Sequence, residues 1–353
     1  MLDVSALSGI VSYEPAELVL TARAATPMAT IDAVLAERGQ CLAFEPPDLS
    51  ALLAGAASGG TLGGVIATGL SGPRRFKAGA ARDHVLGIAA VSGRGEAFVG
   101  GGKVVKNVTG YDIPKLMTGS YGTLAVLTEV TVKVLPRAQD QSTVAVSGLA
   151  WRDAVRVMTS VLQSAIDVSG ACHLPAGVAI PGMNPEITTT AFRLEGFAPS
   201  VEARLRSLRE LLEPEGPLAL LEADASNVFW RDVRDVQPLV GVEGIVWRVS
   251  VPPASAAAVV DRIKGALPEA KMFLDWGGGM IWVATGAGHA ARLREALGES
   301  GGHATLIRAP ALVRGNVDVF QPQSSGVAAL SRRVKAQFDP NGVLNPGRMY
   351  SGS

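Results

Sequence analysis

KVVKNVTGYDIPKLMTGSYGTLAVLTEVTVKVLP, residues 103–136, is the stretch around which the chain is organised. Thr109, Gly110, Tyr111 and Asp112 make a turn-like TGYD, and Ile113 to Met117 fits one helical turn closing on Thr118 and Gly119. Gly119 and Gly122 flank Ser120 and Tyr121. Beyond them apolar and polar residues alternate: Val130, Val132 and Val134 fall on one face, Glu129, Thr131 and Lys133 on the other. That is the period of a half-buried strand, and Pro136, with no N–H for a ladder, closes it. A Gly-x-x-Gly turn feeding a strand lets backbone N–H groups approach a phosphate or a flavin edge, because glycine has no Cβ. An ordinary tight hairpin explains the same glycines, and these residues alone leave both readings open.

Residues 58–75, SGGTLGGVIATGLSGPRR, hold a second Gly-rich turn; Gly-Thr-Leu occurs at 60–62 and again at 122–124. Taken together, GTLGGVIATGLSG, TGYD and GSYGTLAVLTEVTVKVLP resemble the FAD-binding domain of the vanillyl-alcohol oxidase and p-cresol methylhydroxylase (PCMH) family. Within that family SGPRR, ARDHVLG, GGKVVKNVTGYD, DWGGG, GGHAT and the terminal NPGRMY look like the FAD-binding subunit of bacterial glycolate oxidases. The likeness runs in order over nearly the whole chain.

The resemblance implies an α+β fold: a PCMH-type FAD-binding domain over 1–137, an α+β cap domain with an antiparallel sheet over 138–320, and a segment 321–353 returning to the FAD domain. It implies FAD, held non-covalently, with Pro47, Thr61, Leu62, Gly63, Gly64, Ala67, Gly110, Gly119, Gly122, Thr123, Val126 and Asn345 as cofactor-binding residues. Asn345, Pro346 and Gly347 match a family Asn-Pro-Gly near the isoalloxazine. Gly69 departs from the family, where many members carry Asn. Read without the resemblance, Gly63, Gly64, Ala67 and Gly69 make room either for a flat cofactor or for close helix–sheet packing. A side chain at Gly63 or Gly122 is expected to weaken flavin binding more than folding. Family members begin with a βαβ-like segment whose Gly-rich loop holds the FAD pyrophosphate, ahead of a strand like LDVSALSGI. Here that strand starts at Leu2. The expectation is that this first subdomain, roughly fifty residues, is missing, and that the chain as written binds FAD poorly and exposes an apolar edge.

Composition narrows the class. The chain has 353 residues, 48% of them hydrophobic, and equal numbers of acidic and basic side chains. It is long enough for two domains, and no basic stripe points to nucleic acid. No apolar run has transmembrane length, and MLDVSALSG lacks the charged and apolar regions of a signal peptide. A cytoplasmic protein, held at a membrane only through partners, is the expectation. Cys41 and Cys172 are far apart, so no iron–sulfur cluster is expected in this chain, and both read as buried small hydrophobes.

In chain order, residues 2–25 read as two strands and Thr26 as the cap of a helix begun by Pro27. Arg74, Arg75, Lys77, Arg82, Asp83 and His84 form a mixed-charge cluster, read as an anion or docking surface or as a solvated, self-paired loop. Residues 85–103 read as a hairpin turning at Gly93-Arg94-Gly95, and its GGGK lacks Walker spacing. Helices are expected at 151–166, 200–212 (capped by Ser200), near 254–266 and 288–298, and at 326–338. Strands are expected at 189–196, 244–252, 271–276, 280–285 and 303–309, with the helices on one face of their sheet.

Flavin oxidation of a 2-hydroxy acid needs a base for the hydroxyl proton, a cation for the carboxylate and access to the flavin. The four histidines, His84, His173, His289 and His303, have no metal-ligand spacing. His303, with Arg308 or Arg314, is the one base–cation pairing available; a strand-edge histidine explains His303 as well, and a Gly-rich hairpin turn explains Asp275 in DWGGG. No catalytic residue is assigned. The resemblance implies a flavin subunit of an assembly oxidising glycolate to glyoxylate, with a second, histidine-rich flavin subunit and an iron–sulfur subunit as partners and a small 2-hydroxy acid as substrate. A self-sufficient FAD-dependent dehydrogenase and a non-catalytic scaffold are the alternatives.

Overall fold

A computed structural model describes residues 2–55, 60–102, 110–177 and 184–350. Residues 103–109 of the opening stretch, including Thr109 of TGYD and Lys103 of GGGK, and Ser58-Gly59 of the second turn lie outside the described residues. The chain divides into two compact units. One comprises 1–50, 56–137 and 322–353; the other comprises 51–55 and 138–321.

The first unit is built on an antiparallel sheet. Its strands are β1 (Ile10–Glu14), β2 (Val19–Arg23), β4 (Val85–Ser92), β5 (Ala97–Gly101) and β6 (Ala125–Lys133), in the order β1-β2-β6-β4-β5. A two-residue ladder joins β3 (Gln40–Cys41) to β7 (Leu135–Pro136), so β6 ends at Lys133 and Pro136 sits opposite Gln40. The alternation in β6 holds for Val130 and Val132, which are fully buried against Leu20, Ile31, Leu35, Phe44, Leu62 and Ile66. Thr131 on the other face is also buried, and its hydroxyl is satisfied there by that of Thr21 at 2.9 Å across the β2–β6 pair. The 85–103 hairpin turns where Gly95 N–H reaches Ser92 O at 3.0 Å.

Two expectations near the start are corrected. Residues 2–9 are not a strand: Leu7 N–H turns back on Val4 O, and β1 begins only at Ile10. Thr26 does not cap the helix Met28–Ala36, whose N-cap is Pro27. Its hydroxyl instead donates to Arg23 O (2.7 Å), with Gly9 O the alternative acceptor at 3.1 Å, and accepts Gly9 N–H (2.9 Å). Thr26→Val leaves Gly9 N–H without its acceptor, while Gly9 O and Arg23 O keep Arg23 N–H and Thr26 N–H at 3.0 Å each. One unmade hydrogen bond costs about 1–3 kcal/mol, so the variant is expected to destabilise the chain by about 1 kcal/mol, the low end of that range, in urea titration. A change within about 0.3 kcal/mol would mean that the Gly9 anchor is dispensable.

The second unit is an eight-stranded antiparallel sheet of β8 (Asp140–Ser147), β9 (Gly170–Leu174), β10 (Thr189–Gly196), β11 (Leu218–Leu221), β12 (Ile245–Ser250), β13 (Lys271–Asp275), β14 (Met280–Thr285) and β15 (His303–Arg308). The order is β11-β8-β10-β9-β13-β14-β12-β15. The helices do not share one face. Thr190 and Arg193 are three residues apart on the unbulged β10 and point to opposite sides. Thr190 bonds His173, which packs edge-on against Trp151 of the helix Trp151–Gln163. Arg193 lies 4.8 Å from the Trp230 ring of the helix Ala223–Arg234, which covers the other face. Buried Arg193 reads as an exception within TTAFRLEG; it is neutralised by Glu195 at 3.3 Å and bonded to Ser169. The helix Ala198–Leu212 starts two residues before Ser200, with Phe197 as N-cap and Pro199 in its first turn, where a missing N–H does no harm.

Candidate functional site

The helix Leu62–Thr68 is short and two-sided. Leu62, Val65 and Ile66 face the core, while Gly64 is exposed and Ala67 half-buried. Its first N–H groups already have protein partners: Leu62 donates to Thr26 O (3.0 Å), Gly63 to Ala24 O (2.7 Å) and Gly64 to the Thr61 hydroxyl (3.3 Å). This turn therefore offers a surface of small residues rather than backbone donors for a phosphate.

The end of this helix meets the 119–122 turn in space. Gly69 ends the helix in the left-handed region (φ 64°), and a Cβ there would stand 3.2 Å from Gly119 Cα. The turn after the helix Ile113–Met117 docks on that end through Gly119 N–H to Ile66 O (2.9 Å) and Tyr121 N–H to Ala67 O (2.8 Å). Asp112 caps the Ile113–Met117 helix by accepting Lys115 N–H at 3.2 Å. The chain's return segment then closes on the turn: Asn345 Nδ2 donates to Tyr121 O at 2.9 Å. Tyr121 (φ 53°) and Asn345 (φ 44°) both hold left-handed backbone. For a bulky tyrosine that is a strained state, kept only where the surroundings over-determine it.

Between these elements runs an open groove of about 620 Å³, within the usual range of ligand sites. Thr61, Gly63, Gly64 and Ala67 line it from the helix and its cap, Gly122 and Val126 from the turn and β6, and Asn345 from the return segment; Ala24, Ala125, Leu127 and Leu344 are among the residues that add apolar surface. Seven of the twelve residues singled out in the sequence thus converge. The other five are elsewhere: Leu62 is fully buried in the core, the Thr123 hydroxyl is tied to Ser120 O (2.7 Å), Gly119 is spent on Ile66, Gly110 is exposed, and Pro47 lies outside the lining. Among the described residues, Asp3 is the one ionisable side chain on the walls, held below its ordinary pKa by the backbone and hydroxyl of Ser5.

The expectation for Gly63 and Gly122 is also revised. A Cβ on Gly63 would lie 2.7 Å from Ala24 Cβ and 2.8 Å from Ala24 O, so Gly63 serves helix–strand packing. Gly122 (φ 67°) leaves space for Asn345 Nδ2, 2.9 Å from where its Cβ would be. Gly64 is the position whose missing side chain opens the groove: only Thr61 Oγ1, at 3.3 Å, is near. That glycine-and-alanine surface fits a flat ring system.

The remaining candidates do not converge. His303 and Arg308 stand at opposite ends of β15, paired with Ser250 and Val246 respectively, about 16 Å apart at strand rise. The Arg308 guanidinium donates to Leu52 O (3.2 Å) and to Val242 O, and Arg314 is exposed on the helix Ala311–Arg314. Asp275 caps the turn after β13 by accepting Trp276 N–H at 2.7 Å. In the basic cluster Arg74 pairs with Glu45, Asp83 accepts Ala80 N–H and His84 bonds Ala78 O, as a self-paired loop does. Cys172 is buried, which pushes its thiol pKa up, and the described residues hold no metal-binding group. No described helix is long and apolar enough to cross a membrane.

Comparison with known proteins bears on this groove. Residues 1–101 match the family model described as an FAD binding domain, and residues 322–349 the C-terminal domain of FAD linked oxidases. Over 351 residues, 99% of this chain and 87% of the relative, the sequence is 36% identical to glycolate oxidase subunit GlcE of Escherichia coli (strain K12). The chain belongs to the FAD-linked oxidase family. It is accordingly an FAD-dependent oxidoreductase by family, with FAD as cofactor. It is also 30% identical to glycolate oxidase subunit GlcD of Bacillus subtilis (strain 168), over 59% of this chain and 41% of that protein. Among solved structures, 4-ethylphenol oxidase from Gulosibacter chungangensis superposes with TM-score 0.69 at 12% identity, over 98% of this chain and 79% of that one. Alkyldihydroxyacetonephosphate synthase superposes with TM-score 0.68 at 14% identity, over 96% and 66%. These likenesses show the PCMH-type FAD-binding fold.

Proposed function

We propose that this chain is a flavin subunit of a glycolate-oxidising assembly, holding FAD non-covalently in the groove of its first unit. One observation carries the reading: the described groove wall is made mainly of small and apolar groups, with Asp3 as its one ionisable side chain and no histidine, arginine or lysine. Bound FAD supplies the hydride acceptor for a 2-hydroxy acid. Gly64 and Ala67 leave a flat face free of side chains, Val126 and Leu127 exclude water, and Asn345 is held at the rim by Tyr121 O. A hydroxyl base and a carboxylate-binding cation then come from a partner subunit. The relatives named as two different glycolate oxidase subunits favour such a division of labour, with electrons leaving to an iron–sulfur partner.

The test is purification of the chain alone and with its partners. The expected result is a yellow protein, inert toward glycolate by itself and active in the complex, whose colour is wholly released by acid precipitation. Colour left on the denatured pellet would refute non-covalent binding. Bleaching of the isolated chain by glycolate would favour a self-sufficient dehydrogenase, and a colourless chain a scaffold.

A further inference from the structure

The return segment is held by a buried charge that the groove chemistry above does not use. Lys335, on the helix Ser325–Phe338, is the buried residue of that helix. Its ammonium donates to Asp339 Oδ2 (2.6 Å), Thr123 O (2.7 Å) and Leu344 O (2.8 Å), which uses all three of its N–H bonds. Asp339 accepts Val343 N–H (3.0 Å) and Leu344 N–H (2.8 Å) in return. Burial pushes its carboxyl pKa up, but the Lys335 and backbone hydrogen bonds outweigh this and hold it low. The β4–β5 turn seals the pair: Gly93 N–H donates to Phe338 O (2.9 Å), and a Cβ on Gly93 would collide with the Asp339 carboxylate.

We propose that Lys335 and Asp339 are positioning residues of the cofactor groove, fixing residues 343–346 against the 122–126 wall. The proposal rests on the groove being the FAD site. Val343 to Pro346 form one wall, and Gly122, Ala125 and Val126 another; Lys335 binds the carbonyl of Leu344 in the first segment and that of Thr123, between the lining residues of the second. Burying an ion pair is a poor way to gain stability, since well-packed apolar residues do as well or better. An apolar pair does not hold two carbonyls at fixed positions, and three directed N–H bonds do.

The test compares wild type with Lys335→Met, Asp339→Asn and the double variant Lys335→Met/Asp339→Leu. Melting temperature, amide exchange at Val343 and Leu344 in the flavin-free protein, and FAD titration are measured on each. Each single variant is expected to melt lower and to bind FAD about tenfold more weakly. The double variant is expected to regain most of the melting temperature, yet keep fast exchange at Val343 and Leu344 and the weakened FAD binding. Wild-type FAD affinity or wild-type exchange in the double variant overturns the proposal and leaves the cofactor reading standing. A wild-type chain that takes up no FAD overturns the cofactor reading and this proposal with it.

Discussion

Gly64→Val is expected to lower FAD affinity by about a hundredfold while leaving the fold intact, and Gly63→Val to do the reverse. The two glycines are neighbours on one helix, but 100° of helical rotation separates what they face. A Cβ on Gly64 enters the groove, with Thr61 Oγ1 at 3.3 Å as its nearest contact. Valine also has a better helix propensity than glycine, by a few tenths of a kcal/mol, so stability is held or raised. Its methyls occupy space a flat ring needs, and overfilling a closely packed site costs about 1–3 kcal/mol; the upper end is the hundredfold. A Cβ on Gly63 instead meets Ala24 Cβ at 2.7 Å and Ala24 O at 2.8 Å, the same oxygen that accepts Gly63 N–H. Relief means parting the helix from β2, with loss of that hydrogen bond and of the packing of Leu62, which is fully buried. About 3 kcal/mol or more of destabilisation follows. Flavin content per folded protein and urea denaturation read the two effects separately. Full flavin content in Gly64→Val would remove the groove as the cofactor face; an undiminished denaturation midpoint in Gly63→Val would refute the packing role.

Acid is expected to destabilise the second unit through His173. This imidazole is buried, bonded at Nδ1 to the Thr190 hydroxyl (2.9 Å) and packed against Trp151. Burial, aided by the charge of Lys264, holds its pKa down to about 3. Lys264 sits 4.8 Å from the Trp151 ring. The unfolded chain titrates near the ordinary value of about 6.5. Above that value both states are neutral and the stability is complete. As pH falls from about 6.5 toward 3, the unfolded state takes up a proton that the folded state refuses. Stability is then lost at about 1.4 kcal/mol per pH unit, roughly 2.7 kcal/mol by pH 4.5. Other groups titrate in the same window, so the measurement is a difference. Denaturation free energies of wild type and His173→Gln, taken between pH 7.5 and 4.5, are expected to converge as pH drops. Parallel curves would mean that His173 is protonated in the folded protein.

The amino-acid order carried much of this on its own. Local period and turn chemistry placed the β4–β5 hairpin, the alternation of β6, the helix Ile113–Met117 and the strands Thr189–Gly196 and Met280–Thr285 where they are found. Those signals lie within a few residues of one another, and an apolar period is readable wherever one face is buried. The repeated Gly-Thr-Leu marked the two Gly-rich stretches that line one groove, and the ordered motifs marked the family and its FAD. What the sequence could not say is which way a small residue faces. Gly63 and Gly64 are chemically identical, and only the position of Ala24 assigns one to packing and the other to the groove. Nothing in the sequence sets Lys335, on the last helix, or Asp339, just after it, apart from the neighbouring charges; their burial depends on Thr123, more than two hundred residues earlier, and on the β4–β5 turn closing over them. Arg193 and the helix Ala223–Arg234 on the second sheet face are of the same kind. In each case the deciding partner is distant in the chain, and side-chain direction and desolvation come into being only when the tertiary fold brings that partner near.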